Sequence, residues 1–373
     1  MPQPASQPAS QPAVGSRGAL LVEPFLGGPP TVSTVGYTPT GQVGGVKVVE
    51  VGTRNHLAEA DPEGFARVTA QVQSLMAATA EAGIGRSRRP IIGPGSARQV
   101  HDLNPASKRL TDFASGYWEG WRDLVPSAMA LLPIQAPHTT HLPGSEAVEL
   151  PRNRDYLIHL SDAIGIRSRA AVLHDLITGA PDGQQVGPAW LSLACGAALP
   201  VLQTAADHAE EVTVDLVDLD PVALEYAEGF ARALGLGDRV RCTRADLLDL
   251  LSLPSAVDFR PEGYDLVEMM GFFEYLPDQP QLAGTMTVPS AGEFLATALS
   301  LAAPGGLVVF GNMLPTHPQI DFTLKVVQWP YVRPRSVDDL VRLVTAVGVA
   351  PDHVTIYTPD DGVYAVVAIR VPG

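Results

Sequence analysis

From about residue 188 onward, short apolar runs alternate with amphipathic stretches, the pattern of a parallel sheet assembled from βαβ units. Seven strands are expected: Ala189 to Ala194, Val212 to Asp218, Val240 to Arg244, Tyr264 to Met270, Gly306 to Asn312, Val354 to Tyr357 and Tyr364 to Arg370. Between the last two, Asp360, Asp361 and Gly362 supply turn chemistry, so this pair reads as an antiparallel hairpin closing the sheet. Upstream the apolar spacing becomes helical. Asp61 caps a helix that Pro62 opens, with Phe65, Val68, Val72, Leu75 and Met76 on one face and an end near Gly83. Further helical patterns cover Asn104 to Gly116, Tyr117 to Leu132, Arg152 to Ala163 and Ser168 to Ile177.

Residues 14 to 56 are rich in Gly, Pro, Val and Thr and lack helical periodicity, with one strand expected at Val46 to Val51. The tract before them, MPQPASQPASQPA, is of low complexity. The chain therefore divides into a flexible tail and extended arm (1–60), a helical cap that supplies substrate contacts (61–180) and an α/β domain (181–373). At 373 residues it has room for two domains, and 46% hydrophobic against 17% charged residues marks it as globular.

The formal charge of −15 repels phosphate backbones and anionic lipid headgroups, so neither nucleic acid nor membrane is an expected partner. A small molecule is expected instead, with a homodimer as the one protein assembly considered. The uncharged stretch from Trp190 to Ala206 is broken by Gly196, Pro200 and Gln203 and reads as strand, turn and helix. Two cysteines, Cys195 and Cys242, without metal-ligand spacing, fit a reducing, cytoplasmic setting, as does the lack of a secretory pattern at the N-terminus. His138 and His141 have HxxH spacing but no third ligand nearby, so no metal is assigned.

In an open α/β sheet, ligands lie beyond the carboxyl ends of the strands at the point where strand order reverses. The first strand leads into Ala194-Cys195-Gly196-Ala197-Ala198, a loop of small residues that lets a ligand approach the backbone, with a helix N-terminus beyond. Asp218, about 20 positions on, stands where a ribose diol would be gripped, while Asp220 suits a helix cap before Pro221. Asp246 closes the third strand, where it could accept from an exocyclic amine or cap a turn. After the fourth strand come Met269, Met270, Phe272, Phe273, Glu274 and Tyr275, side chains that enclose a cation and exclude water.

These segments resemble class I S-adenosylmethionine-dependent methyltransferases, over nearly all of residues 188 to 370. LSLACGAALP stands where that family has its glycine-rich loop, VDLVDLDPVALEYA resembles its second-strand acidic motif, RADLLDL its adenine-side motif, and LAAPGGLVVFGN its turn before strand five. The chain departs from the family at Ser192, where an acidic residue is common, and at Ala194 and Ala198, where glycines are common. The resemblance implies a Rossmann-like sheet and S-adenosylmethionine as cofactor. The residues implied to bind it are Ala194, Gly196, Asp218, Leu219, Asp246, Leu247 and Met270.

Loops after the fifth strand gather further polar and aromatic groups. His317, Tyr275 and Glu274 are the catalytic candidates, His317 because a neutral imidazole takes a proton near pH 7. Phe273, Asn312, Trp329, Tyr331 and Arg333, with Tyr117 and Trp121 from the cap, are the substrate-binding candidates; Arg333 could clamp a carboxylate. The activity expected is in-line methyl transfer to a small molecule. Two alternatives stay open: opening of the sulfonium at its aminobutyryl carbon, by cyclisation to azetidine-2-carboxylate or aminobutyryl transfer with release of methylthioadenosine, and a catalytically silent cofactor-binding regulator.

Overall fold

The computed structural model describes residues 22–86, 104–113, 120–121, 124–125, 127–139, 141–143, 151–208, 211–248, 257–283 and 286–373. Its centre is a sheet of nine strands, not seven. They are β1 (Val32–Val43), β2 (Val46–Asn55), β3 (Ala189–Leu193), β4 (Thr213–Asp218), β5 (Val240–Arg244), β6 (Tyr264–Met269), β9 (Ala302–Met313), β10 (Val354–Pro359) and β11 (Tyr364–Arg370). The strands β7 (Gln281–Ala283) and β8 (Met286–Val288) pair separately as a small hairpin. The large sheet runs β1-β2-β10-β11-β9-β6-β3-β4-β5. From β9 to β5 neighbours are parallel, and β11 is antiparallel to both β9 and β10, so the terminal hairpin forms beside a Rossmann-like core as expected but does not close the sheet, which continues from β10 into β2 and β1.

The two added strands correct the reading of residues 14 to 56 as a lead-in with a single strand. β1 and β2 form a hairpin, and β2 lies parallel to β10, pairing Thr355 with Lys47 and Pro359 with Val51. Period-two alternation in β1 is hidden because its register slips between Thr34 and Gly36 and again between Pro39 and Gly41. Such slips twist an edge strand and discourage further pairing. Tyr37 donates to Asp175 Oδ2 at 2.7 Å, and Thr34 bonds the same carboxylate, tying the hairpin to a long helix, Ser161–Thr178.

Side chains along the parallel strands alternate between two buried faces, as strands covered on both sides must. Trp190, Val214, Leu216, Leu266 and Val309 face the helices Ser161–Thr178, Leu199–Asp207 and Pro221–Ala233. Leu191, Val217, Val267, Val308 and Phe310 face the helices Ala291–Leu301 and Val337–Ala346. The Trp190 to Ala206 stretch is strand, loop and helix, and among the described residues no helix is long and apolar enough to cross a membrane.

Upstream, the helix Pro62–Glu81 begins where Asp61 accepts from the Gly64 amide at 2.9 Å. The pattern expected to run from Arg152 to Ala163 breaks at Leu160, whose extended backbone separates Pro151–His159 from Ser161–Thr178. Val68, Val72, Leu75 and Leu110 pack against Phe322, Trp329 and Tyr364, and Asn104 and Ser107 hydrogen-bond the carbonyls of Lys325 and Val326. The helical segments thus sit over the ends of β9 and β11. Gly165 marks the closest approach: a Cβ there would lie 2.5 Å from Val363 Cβ. Gly165→Ala should therefore destabilise the protein by about 1–3 kcal/mol through overpacking, read as a lower urea midpoint. An unchanged midpoint would mean that the helix can lift without loss.

Candidate functional site

The chain reverses direction across the sheet between β3 and β6, and a cavity of about 270 Å³ opens beyond their carboxyl ends. One wall is the loop after β3. Ala194, Gly196 and Ala198 all have left-handed backbone, with φ of 52°, 55° and 54°. Ala194 and Ala198 hold this conformation with a side chain present, at a strain of about 1–2 kcal/mol per alanine. Cys195 also lines this wall, and burial pushes its thiol well above its ordinary range, which keeps it protonated.

Asp218 ends β4 and fixes the loop from below. Its Oδ2 accepts from the Gly196 amide and its Oδ1 from the Asp220 amide, each at 2.8 Å. Burial raises its pKa while these amides oppose the rise. Asp220 takes the other role anticipated for this pair, accepting from the Val222 amide at 2.9 Å as a helix cap.

A second carboxylate was not foreseen. Glu268, on β6, is 4% exposed, lines the cavity and receives the hydroxyl of Ser192 from the adjacent strand. Its other oxygen accepts from the Met270 amide at 3.0 Å, and burial raises its pKa. Register pairs Ser192 with Glu268 directly, so the carboxylate and the hydroxyl meet across adjacent strands. Only the pairing of β3 with β6 reveals this contact.

The opposite wall is built by the helix Ser161–Thr178 and by the loops after β6 and β9. Ile166, Arg169, Ala170 and Leu173 meet Met270, Gly271, Phe272, Tyr275 and Trp329. Trp329 Nε1 donates to the Tyr275 hydroxyl at 2.6 Å, and burial holds that phenol well above its ordinary pKa. Arg169, Gly271, Tyr275 and Trp329 also border a space of about 10 Å³, room for one water, whose far side is Asp162, Glu274 and Tyr364. Glu274 is 3% exposed and accepts from the Met313 amide at 3.0 Å. Burial lifts its carboxyl to about 7, with Arg169 pulling the other way.

Of the residues singled out from sequence, Ala194, Gly196, Asp218, Met270, Tyr275 and Trp329 meet at the main cavity, and Glu274 at the smaller one. The other described candidates lie elsewhere. Phe273 is fully buried against Phe310, with ring centroids 4.0 Å apart, and Phe272 faces the cavity in its place, because a short 3-10 turn at Phe273–Tyr275 rotates the two rings apart. Asn312 is scaffolding: its amide donates to the Met313 and Arg333 carbonyls and its oxygen accepts from Arg335. Trp121 is buried with its indole N–H on the Ala130 carbonyl. Arg333 reaches outward to Gln281 Oε1 at 3.1 Å and faces neither cavity.

His317 is 2% exposed and its Nδ1 accepts from the Gln319 amide at 3.0 Å; burial lowers its pKa, and it lines neither cavity. Tyr331 has left-handed backbone, φ 63°, and lines neither cavity. Asp246 accepts from the Leu248 amide at 2.9 Å, Leu247 is buried in the core and Leu219 offers its carbonyl to Arg244, so these three stand outside the cavity lining. Tyr117 lies outside the described residues. His138 packs on Gly28 and His141 lies 3.1 Å from the Thr139 hydroxyl; among the described residues no acidic, Cys and His cluster gathers as a metal site.

No protein-family model matches the chain, and no curated protein does. Among solved structures, a possible exported protein from Bordetella parapertussis is similar over 82% of this chain and 97% of its own, with a TM-score of 0.56 at 18% identity. An O-methyltransferase family protein from Burkholderia thailandensis is covered over 83% of its length by 80% of this chain, at TM-score 0.43 and 18% identity. The CurJ carbon methyltransferase is similar over 82% of this chain and 81% of its own, at TM-score 0.44 and 12% identity. The first of these shows a shared fold.

Proposed function

We propose that the chain is an S-adenosylmethionine-dependent transferase that methylates a small molecule. The observation that carries this reading is the cavity at the β3/β6 reversal, where a left-handed loop, a strand-end aspartate and a buried glutamate converge. Asp218 would hold the ribose hydroxyls, the Ala194 to Ala198 loop would pass under the methionyl chain, and Glu268 would take its ammonium group. Met270, Phe272, Tyr275 and Trp329 would surround the sulfonium and exclude water. When bound, the cofactor supplies an electrophilic methyl group. Alignment and desolvation are what these residues add. Glu274, titrating near 7 beside the cavity, is the group able to exchange a proton with an acceptor.

Incubation of the purified protein with S-adenosylmethionine alone, followed by mass spectrometry, tests the chemistry. The expected result is cofactor that stays intact until an acceptor is added and then yields S-adenosylhomocysteine. Release of methylthioadenosine without an acceptor would replace methyl transfer by opening at the aminobutyryl carbon. Cofactor that neither binds nor reacts would remove the reading altogether.

A further inference from the structure

Arg169 and Arg335 are both buried arginines, 5% and 3% exposed, but their surroundings differ. Arg335 is fully engaged: it donates to Asp278, to Asn312 at 2.8 Å and to the Leu276 carbonyl at 2.6 Å. The Arg169 Cζ lies over the Tyr364 ring, 4.3 Å from its centroid. Its Nη1 is buried and has no hydrogen-bond partner among the described residues. The nearest carboxylate, Glu274 Oε1, stands 3.7 Å away, an ion pair too long for a hydrogen bond. A buried cation with an unmet donor is costly unless something is built to meet it. Arg169 lines both the main cavity and the small one beside it, so the unmet guanidinium borders space that a ligand can enter.

We propose that Arg169 is the anchor for a carboxylate on the acceptor, and thus that the acceptor is a small carboxylic acid. This rests on the transferase reading above. Position favours the acceptor over the cofactor's own carboxylate. The Arg169 guanidinium lies between Gly271, just after β6, and Tyr364, which opens β11, with its Cδ beside Gly311 near the end of β9, whereas Asp218 closes β4. Three strand spacings separate β4 from β9, roughly 14 Å at about 4.8 Å each. The carboxylate site is therefore on the far side of the cavity from the ribose site. The planar fork of a guanidinium suits a carboxylate, and Ile166, Leu131 and Trp329 would enclose an apolar body.

The test is calorimetry on the intact protein with S-adenosylhomocysteine, with methylthioadenosine, and, after loading with S-adenosylhomocysteine, with benzoate and its neutral counterpart benzamide. In the wild type, benzoate should bind at least 10-fold more tightly than benzamide. Arg169→Gln should bring the two to parity while S-adenosylhomocysteine affinity stays within threefold, and Arg169→Lys, which keeps the charge without the fork, should retain part of the preference. The proposal is overturned if the wild type does not prefer benzoate, or if Arg169→Gln keeps the preference. It is also overturned if Arg169→Gln weakens S-adenosylhomocysteine but not methylthioadenosine, since Arg169 would then hold the methionyl carboxylate. Failure of the wild type to bind either nucleoside would instead reject the cofactor reading, and benzoate against benzamide on the unloaded protein would still decide the role of Arg169.

Discussion

Asp218→Ala should weaken S-adenosylhomocysteine binding by about 1.5–3 kcal/mol, roughly 10- to 150-fold, the range for a hydrogen bond to a charged group. Two effects act together. On the proposed reading the carboxylate grips a ribose, and it also receives the Gly196 and Asp220 amides at 2.8 Å, so its removal frees the loop that forms the cavity's wall. Adenosine and 2′-deoxyadenosine separate the two. If Asp218 holds the diol, the wild type prefers adenosine and the variant loses that preference. If the residue only fixes the loop, both nucleosides weaken alike. Equal affinity of wild type and variant for S-adenosylhomocysteine, by calorimetry, would sink the assignment.

The strands β3, β4, β5, β6, β9, β10 and β11 were legible because short segments rich in apolar and β-branched residues alternate with amphipathic helical ones, and their ends match expectation to within a residue or two except at β9, which begins at Ala302. Asp61 and Asp220 were legible as caps because capping is local, decided within three residues. The β1/β2 hairpin was half hidden, since two register slips erase the alternation that identifies a strand. Arg169 and Glu268 were not legible at all. Glu268 lies in an apolar run whose pattern says only that it is buried, Arg169 ends a polar triplet, Arg167-Ser168-Arg169, that does not read as buried at all, and the partners are distant in sequence: Tyr364 and Glu274 for Arg169, Ser192 for Glu268. Phe272 and Phe273 show the same limit at the smallest scale. Two adjacent aromatic residues are indistinguishable by composition, and a single 3-10 turn decides which faces the cavity.

Glu274 should make the protein less stable as pH rises from 5 to 8, opposite to the behaviour of a salt-bridged surface acid. Burial raises its carboxyl from 4.5 to about 7. Between those values the unfolded chain has released the proton and the folded chain keeps it, so the folded state binds more protons and stability falls with pH. The full contribution is present below 4.5 and is gone once pH passes 7; its size is on the order of 3 kcal/mol. The groups around it set this balance: Arg169 and Arg335 favour the anion, as does the Met313 amide, while Asp162 opposes it. In Glu274→Gln the urea midpoint should lose this share of its pH dependence and exceed the wild-type value at pH 8. Benzoate binding supplies an independent reading, because ionised Glu274 competes for Arg169, 3.7 Å away. Wild-type affinity for benzoate should rise as pH falls from 8 to 6, with a proton taken up at Glu274, and the Gln variant should show a flat profile. A wild-type midpoint that rises over the same range would mean that Glu274 is ionised throughout, held by Arg169 as a closed pair with no capacity to accept a ligand's charge.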